Sequence, residues 1–155
     1  MILGWIILPV IGFLYLRFGY VPVAVNGPVI PFEELLAGSA IQAKIARDAP
    51  TKAAFPASEE NLAAGAKIYH EQCIECHGQP GSTPSAASKG MYPPPPQFFE
   101  RKVMGNDPVG QNYWIVANGI RLTGMPGYRE SLSDLQLWQV SLYLSNRGNL
   151  PNSAK

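Results

Sequence analysis

The chain contains two cysteines, and a histidine directly follows the second one, in the sequence Cys73-Ile-Glu-Cys76-His77. Cysteines three residues apart on a helix project from one side, with about 5 Å between them. This spacing allows two thioether bonds to the vinyl groups of a single porphyrin, and a histidine one residue further can bind the iron as the proximal ligand. The motif therefore predicts one covalently attached haem c, with Cys73, Cys76 and His77 among its binding residues.

Other uses of this cysteine pair lack the sequence context that they require. A thioredoxin-like redox pair needs a βαβ pattern, which the sequence does not have. A structural zinc site needs four ligands, and the chain offers only its two cysteines with His70 and His77. A disulfide between residues three apart would close a loop too small to stabilise the fold much.

The second axial position of such an iron can be held by methionine or histidine, or left open. His70 lies seven residues before His77 on the same predicted helix, so it cannot reach the opposite haem face. Met91 lies in a proline-rich loop and Met104 in a polar turn. Met125 lies in Thr-Gly-Met-Pro-Gly, where glycines allow close approach of the backbone and the proline stiffens the turn. We expect Met125 to bind the iron, with Met91 or an open position as the alternatives.

The elements that must position these residues are predicted to be helices, so the fold class is all-α. The predicted helices are Phe32–Arg47, a helix beginning at Ser58 and carrying both cysteines on its apolar face, Gln111–Asn118, and a final helix from Ser131 or Ser133 to about Asn146. The segment Gly78–Gln97 is rich in glycine, proline and serine and is expected to be an irregular loop that wraps the cofactor.

Two apolar surfaces in this pattern call for a neighbour. The Phe32–Arg47 helix has one apolar face, formed by Phe32, Leu35, Leu36, Ala43 and Ala46, which should lie against the haem domain or another subunit. The final helix has two nearly opposite stripes, one of Leu135, Trp138 and Leu142 and the other of Leu137, Val140 and Leu144. A helix that is apolar on both sides is usually covered on both. We expect the domain core to cover one stripe, and the other is a candidate dock for the Phe32–Arg47 helix or for a partner.

The first residues form an apolar run, Ile2–Tyr20, that approaches the roughly 20 residues needed to cross a bilayer. A cleaved signal peptide is the alternative, but no basic segment precedes the run and no clear cleavage site follows it. The expected organisation is a transmembrane anchor at residues 1–25, a linker with one helix at 26–57, a haem domain at 58–150 and a tail at 151–155.

Residues 58–147 resemble the class I, mono-haem cytochrome c domain. The resemblance rests on Gly65-x-x-x-Tyr69, the Cys73–Gly78 motif, Met125-Pro126 and the final helix, Leu132–Leu144. It implies a small helical domain around one covalent haem, in which the first and last helices cross at right angles.

The resemblance also implies two particular contacts. A glycine on the first helix, Gly65, would contact an aromatic residue on the last, either Trp138 or Tyr143. A proline carbonyl often accepts a hydrogen bond from the proximal histidine; Pro80, Pro84 and Pro93 are possible here and none is assigned. The Asn118–Met125 region is more loosely similar to membrane-anchored bacterial cytochromes found beside respiratory complexes.

These features predict one-electron transfer rather than enzymatic catalysis. The net charge of +1 excludes the basic excess of a nucleic-acid-binding protein. An iron bound by His77 and Met125 has no position for a substrate. We expect a subunit or close partner of a membrane respiratory oxidoreductase, with a freely moving anchored carrier or, less favoured, a haem sensor or peroxidase as alternatives. The expected location is the bacterial cytoplasmic membrane, crossed once, with the haem domain on the periplasmic side.

Overall fold

A computed structural model describes residues 2–100 and 107–154. Over these residues the chain is helical and contains no β-strand, as the sequence predicts. The α-helices are α1 (Ile2–Arg17), α2 (Glu33–Asp48), α3 (Glu59–Gln72), α4 (Ile74–His77), α5 (Ala86–Lys89), α6 (Val109–Asn118) and α7 (Asp134–Ser145), and a 3-10 turn follows at Asn152–Ala154. The chain divides into two compact units, Met1–Ser39 and Ala40–Lys155.

The first unit contains α1, an apolar helix of 16 residues with Arg17 in its last turn. The large apolar side chains from Ile6 to Leu16 are exposed to solvent along the helix. Within residues 2–100 and 107–154, no helix combines the length and the apolar character that a bilayer crossing requires. The anchor expected at residues 1–25 therefore stays a prediction.

Helix α2 forms where the sequence predicts it, and the residues of its predicted apolar face are exposed. Phe32, Leu35 and Leu36 are 74%, 68% and 64% exposed, and the two alanines of that face are exposed as well. The buried residue of this helix is Ile45, in its C-terminal half. Periodicity identifies which residues share a face, but it does not show which face the rest of the chain covers.

The core of the second unit forms where α3 packs against α7. A Cβ atom on Gly65 would lie 2.2 Å from the carbonyl oxygen of Gln139 and 2.8 Å from the Cβ atom of Tyr143. Only a residue without a side chain fits between two backbones this close. Of the two aromatic residues that the resemblance offered, Tyr143 is therefore the one in contact with Gly65.

Both apolar stripes of α7 are covered from within the second unit, apart from Leu135, which is 44% exposed. Leu142 packs with Leu62 and Ala154, and Trp138 stacks on Tyr113 with 4.1 Å between ring centres. The partly buried residues around the Leu142 cluster include Ala53, Phe55, Val109 and Leu150. Segments before α3 and after α7 therefore bury most of the stripe that the sequence offered as a candidate dock for α2 or a partner.

The helix ends explain why the two long helices of the core begin where they do. Ser58 precedes α3, and its Oγ atom accepts a hydrogen bond from the Asn61 amide at 3.3 Å. Ser133 forms a capping box with Gln136: its Oγ atom accepts from the Gln136 amide at 3.3 Å, and Gln136 Oε1 accepts from the Ser133 amide at 2.9 Å. Ser133, rather than Ser131, is therefore the N-cap of α7.

Candidate functional site

The four residues singled out by the sequence, Cys73, Cys76, His77 and Met125, all line one cavity of about 300 Å³ in the second unit. Met91, the alternative distal ligand, lines the same cavity. Met104, also considered from the sequence, lies outside the described residues. The rest of the wall is mainly apolar and comes from α6, α7 and the segments on either side of α6, with Ile115, Val116, Ile120, Phe98 and Leu144 among its residues.

The two cysteines and the histidine lie at a break between two helices, not on one continuous helix as the sequence suggested. Helix α3 ends at Gln72, and Cys73 leaves the helical conformation with φ −120° and ψ −30°. The short helix α4 then carries Cys76 and His77, and the His77 amide donates to the Cys73 carbonyl at 2.9 Å. This turn keeps both thiols and the imidazole at the cavity wall.

Gly78 ends α4 in the left-handed region, with φ +71°. A Cβ atom there would lie 2.6 Å from Oε1 of Gln97. The glycine therefore lets the chain turn away directly after the histidine while the Gln97 side chain packs against it.

The His77 ring is buried and held on two sides. Its Nδ1 atom lies 2.9 Å from the carbonyl oxygen of Pro96, and its face stacks on Phe98 with 4.5 Å between ring centres. A carbonyl oxygen only accepts, so Nδ1 carries the hydrogen and Nε2 keeps its lone pair for a metal. Burial lowers the pKa of His77, opposed by the hydrogen bond to Pro96, so the imidazole is neutral at neutral pH.

Sequence reasoning missed two residues that contact the cysteine and histidine motif. The carbonyl that bonds His77 belongs to Pro96, and none of the three prolines considered from the sequence is used. The Nε2 atom of Gln97 lies 2.8 Å from the Cys76 carbonyl, 3.0 Å from Ser88 Oγ and 3.1 Å from the Pro95 carbonyl. Gln97 thereby ties the proline-rich segment to the cysteine motif. In the sequence, only the run of four prolines before Gln97 marked this segment as unusual, and it did not indicate that Gln97 contacts the cysteine motif.

Neither cysteine is in a disulfide. Burial, and secondarily the nearby Cys76, raises the pKa of Cys73 to about 12, so its sulfur stays protonated at neutral pH. Among the residues that the structure describes, no group of three or more histidine, cysteine, aspartate or glutamate side chains is arranged to hold a metal ion. His70, which a zinc site would need, is exposed at the surface.

Met125 lies in a turn that the chain closes on itself. The Thr123 hydroxyl donates to the Ile120 carbonyl at 2.8 Å and accepts from the Met125 amide at 3.2 Å. The Ile120 amide in turn donates to the Met125 carbonyl at 3.3 Å. Gly124, next to Met125, leaves room for Met91, because a Cβ atom on Gly124 would lie 2.6 Å from the Met91 sulfur. The turn thus holds Met125 at the cavity wall with Met91 beside it.

Two tyrosines in the cavity wall fasten the cysteine motif from both ends. The Tyr69 hydroxyl donates to the Gly78 carbonyl at 2.6 Å, and the Tyr128 hydroxyl donates to the Gln72 carbonyl at 3.0 Å. Burial raises the pKa of both hydroxyls, so they remain neutral donors at neutral pH.

The chemistry of this donor set fits a covalently bound haem. Two free thiols can form thioethers, the neutral imidazole presents Nε2, and a thioether sulfur is available from Met125 or Met91. The mainly apolar wall would keep water away from a porphyrin.

Comparison with known proteins supports this interpretation. Thiosulfate dehydrogenase from Stutzerimonas stutzeri (strain A1501) is 32% identical over 87 residues, which cover 56% of this chain and 27% of that protein. A chain of the Kuenenia stuttgartiensis reducing HAO-like protein complex is similar in structure, with a TM-score of 0.51 and 25% identity, covering 61% of this chain and 47% of that chain. This chain therefore matches about a quarter of the first relative and less than half of the second.

Residues 60–144 match the family described as cytochrome c oxidase, cbb3-type, subunit III. The match includes the Cys73–Gly78 motif, the Met125 turn and most of α7, and a domain of this kind implies haem c and electron transfer. Because the match covers more than half of the chain, the protein belongs to this family and contains a c-type cytochrome domain.

Proposed function

We propose that this chain carries one haem c, bonded through the sulfur atoms of Cys73 and Cys76 and ligated by His77 and Met125, and that it transfers single electrons. The observation that carries the proposal is the convergence of these four side chains on one mainly apolar cavity. The bound group would supply an iron that changes between Fe(III) and Fe(II), with no position left for a substrate.

The protein's own residues would orient the ligands and exclude water. Pro96 fixes the tautomer and orientation of His77, and Phe98 supports the ring from its face. The Thr123 hydroxyl holds the Met125 backbone at the cavity. A methionine sulfur stabilises Fe(II) relative to Fe(III), so this ligand set predicts a raised reduction potential.

The first test is the mass and the pyridine haemochrome spectrum of the mature protein. We expect the protein mass to be increased by one haem, and the pyridine haemochrome spectrum to be that of a haem attached through two thioether bonds. Replacing either cysteine, as Cys73→Ala or Cys76→Ala, should give a spectrum with one unreacted vinyl group or abolish attachment. His70→Ala is the matched control, since His70 is exposed and should leave the spectrum unchanged. A mature protein without added haem mass would overturn the proposal.

The second test separates Met125 from Met91. The oxidised protein should show the weak red charge-transfer band of methionine-ligated Fe(III). Met125→Leu should abolish this band, whereas Met91→Leu should keep it, although both side chains line the cavity. The reverse result would make Met91 the ligand, and rapid CO binding by the reduced wild type would favour the sensor or peroxidase alternative.

We also propose that the protein works at a membrane as a component or close partner of a redox complex, on the periplasmic side. Support comes from the family, which is described by an oxidase subunit, and from a relative within a protein complex. The exposed apolar side chains of α1 are suited to contact with lipid. The test compares the membrane fraction of the full chain with that of a variant lacking residues 2–25. Equal recovery of the full chain and of the shortened variant in the soluble fraction would contradict membrane attachment.

Finally, we propose that this chain does not itself oxidise the substrate of its enzyme relative. Ligation of the iron by His77 and Met125 would leave no position at which a substrate could bind it. Thiosulfate added to the purified oxidised protein should leave the haem spectrum unchanged, whereas ascorbate, a general one-electron reductant, should reduce it. Sustained turnover with thiosulfate would show that the chain is an enzyme.

Migration of the chain alone in mild detergent would favour a free carrier over a fixed subunit.

A further inference from the structure

Arg147, two residues beyond α7, is a buried cation in the second unit. Only 2% of its side chain is exposed. Its Nη1 atom donates to the Leu144 carbonyl at 2.8 Å, and its Nη2 atom donates to Asp107 Oδ2 at 2.9 Å. Its guanidinium carbon lies 5.5 Å from the centre of the Phe98 ring. Burying a guanidinium is costly unless it is paired, and here the Leu144 carbonyl and Asp107 accept its hydrogen bonds.

The contacts of Arg147 place its charge directly behind the cavity wall. Phe98, Leu144 and Asp107, which Arg147 touches, all line the cavity. Phe98 also stacks on His77, with 4.5 Å between ring centres. Because the guanidinium carbon is 5.5 Å from the same Phe98 ring, it lies at most 10 Å from the centre of the His77 ring.

The opposite charge of Asp107 does not cancel this cation fully. The Asp107 side chain is 43% exposed, so water screens it much more than it screens Arg147. The field of Arg147 also reaches the cavity wall at Tyr69. Burial raises the pKa of the Tyr69 hydroxyl, and the Arg147 charge opposes that rise. Arg147 therefore contributes a positive charge on this side of the cavity, and Asp107 offsets part of it.

We propose that Arg147 raises the reduction potential of the bound haem by holding a fixed positive charge behind Phe98. The inference rests on the proposed function, since it requires a haem ligated by His77. Fe(III) carries one more positive charge than Fe(II), so a nearby fixed cation disfavours the oxidised state. At about 10 Å and an effective dielectric constant of about 20, a unit charge changes such an equilibrium by about tenfold, and Asp107 offsets part of this.

The experiment is a redox titration of three haem-containing variants, each checked for folding by far-UV circular dichroism. At an applied potential equal to the wild-type midpoint potential, the ratio of reduced to oxidised protein should be about three- to tenfold lower in Arg147→Met than in the wild type. Arg147→Lys, the control that keeps the charge, should stay within about twofold of the wild type. Asp107→Asn removes the opposing charge and should raise the ratio.

The results distinguish an electrostatic role from a packing role. If Arg147→Met leaves the ratio within about twofold of the wild type, or if Arg147→Lys lowers it as much as Arg147→Met does, the inference is overturned. If Arg147→Met does not fold, Asp107→Asn decides alone, because an unchanged or lowered ratio contradicts the proposed field. Absence of haem in the wild type would refute the proposed function, whereas normal haem content with an unmoved potential refutes only this inference.

Discussion

Replacement of Gly65 by alanine tests the close contact between α3 and α7. The added Cβ atom would lie 2.2 Å from the Gln139 carbonyl oxygen, 2.7 Å from its carbonyl carbon and 2.8 Å from the Tyr143 Cβ atom. None of these atoms is the movable end of a side chain, so the two helices must separate. Overpacking a core costs about 1–3 kcal/mol, and the better helix propensity of alanine returns up to about 1 kcal/mol. Since the contact involves two backbones, we expect a net loss of about 2 kcal/mol.

The assay is urea unfolding of the haem-containing protein, followed by far-UV circular dichroism. The free energy of unfolding falls by about 1–3 kcal/mol for each molar of urea, so the urea midpoint of Gly65→Ala should be lower by about 1 M. Gly38→Ala is the matched control, because Gly38 lies in α2 and a Cβ atom there would meet nothing within 4 Å. That variant should be no less stable than the wild type. A free energy of unfolding for Gly65→Ala within about 0.5 kcal/mol of the wild type would refute the close packing described above.

Three further changes probe the Met125 turn, the buried tyrosine and a helix end. Thr123→Val removes the hydroxyl that accepts a hydrogen bond from the Met125 amide, so added imidazole should bind the oxidised protein about fivefold more tightly. Thr123→Ser keeps the hydroxyl and should not change the imidazole affinity. Equal affinity in the wild type and both variants would contradict the role of the hydroxyl. Burial raises the pKa of Tyr69 above its ordinary 10.0, so the contribution of Tyr69 to stability is complete below pH 10.0 and falls as pH rises beyond it. Urea midpoints measured from about pH 8 to about pH 11 should therefore fall less steeply in Tyr69→Phe than in the wild type. Equal slopes in the two proteins would contradict this role of Tyr69. Ser133→Ala should destabilise the protein to urea by about 1 kcal/mol and Ser131→Ala by much less, and equal losses would mean that Ser133 is not the cap.

The sequence predicted most of what depends on neighbouring residues. The capped starts of α3 and α7, the helical class and the Cys73–Gly78 motif all follow from patterns within a few residues. For the same reason, Met125 could be chosen from its turn. The structure places it on the same cavity as His77, and ligation by both remains a prediction.

The covering of apolar faces was predicted less well. The α7 stripe around Leu142 was a candidate dock for α2 or a partner, and residues near Phe55 and Ala154 cover most of it. The apolar face of α2 was expected to lie against the haem domain or another subunit; Leu35 and Leu36 are exposed, and contact with another subunit stays a prediction. Periodicity reports which side of a helix is apolar, whereas the path of flanking segments decides what lies against it.

The sequence by itself determined where a haem can be attached, because two thiols and an imidazole within five residues form one local unit. The surroundings of that unit were decided only by the tertiary structure. The Pro96 carbonyl is 19 residues from His77, Gln97 is 21 residues from Cys76, and Asp107 is 40 residues from Arg147. Such contacts depend on how loops and helices meet in space, and a hydrogen bond or a buried charge pair leaves no periodic pattern in the chain.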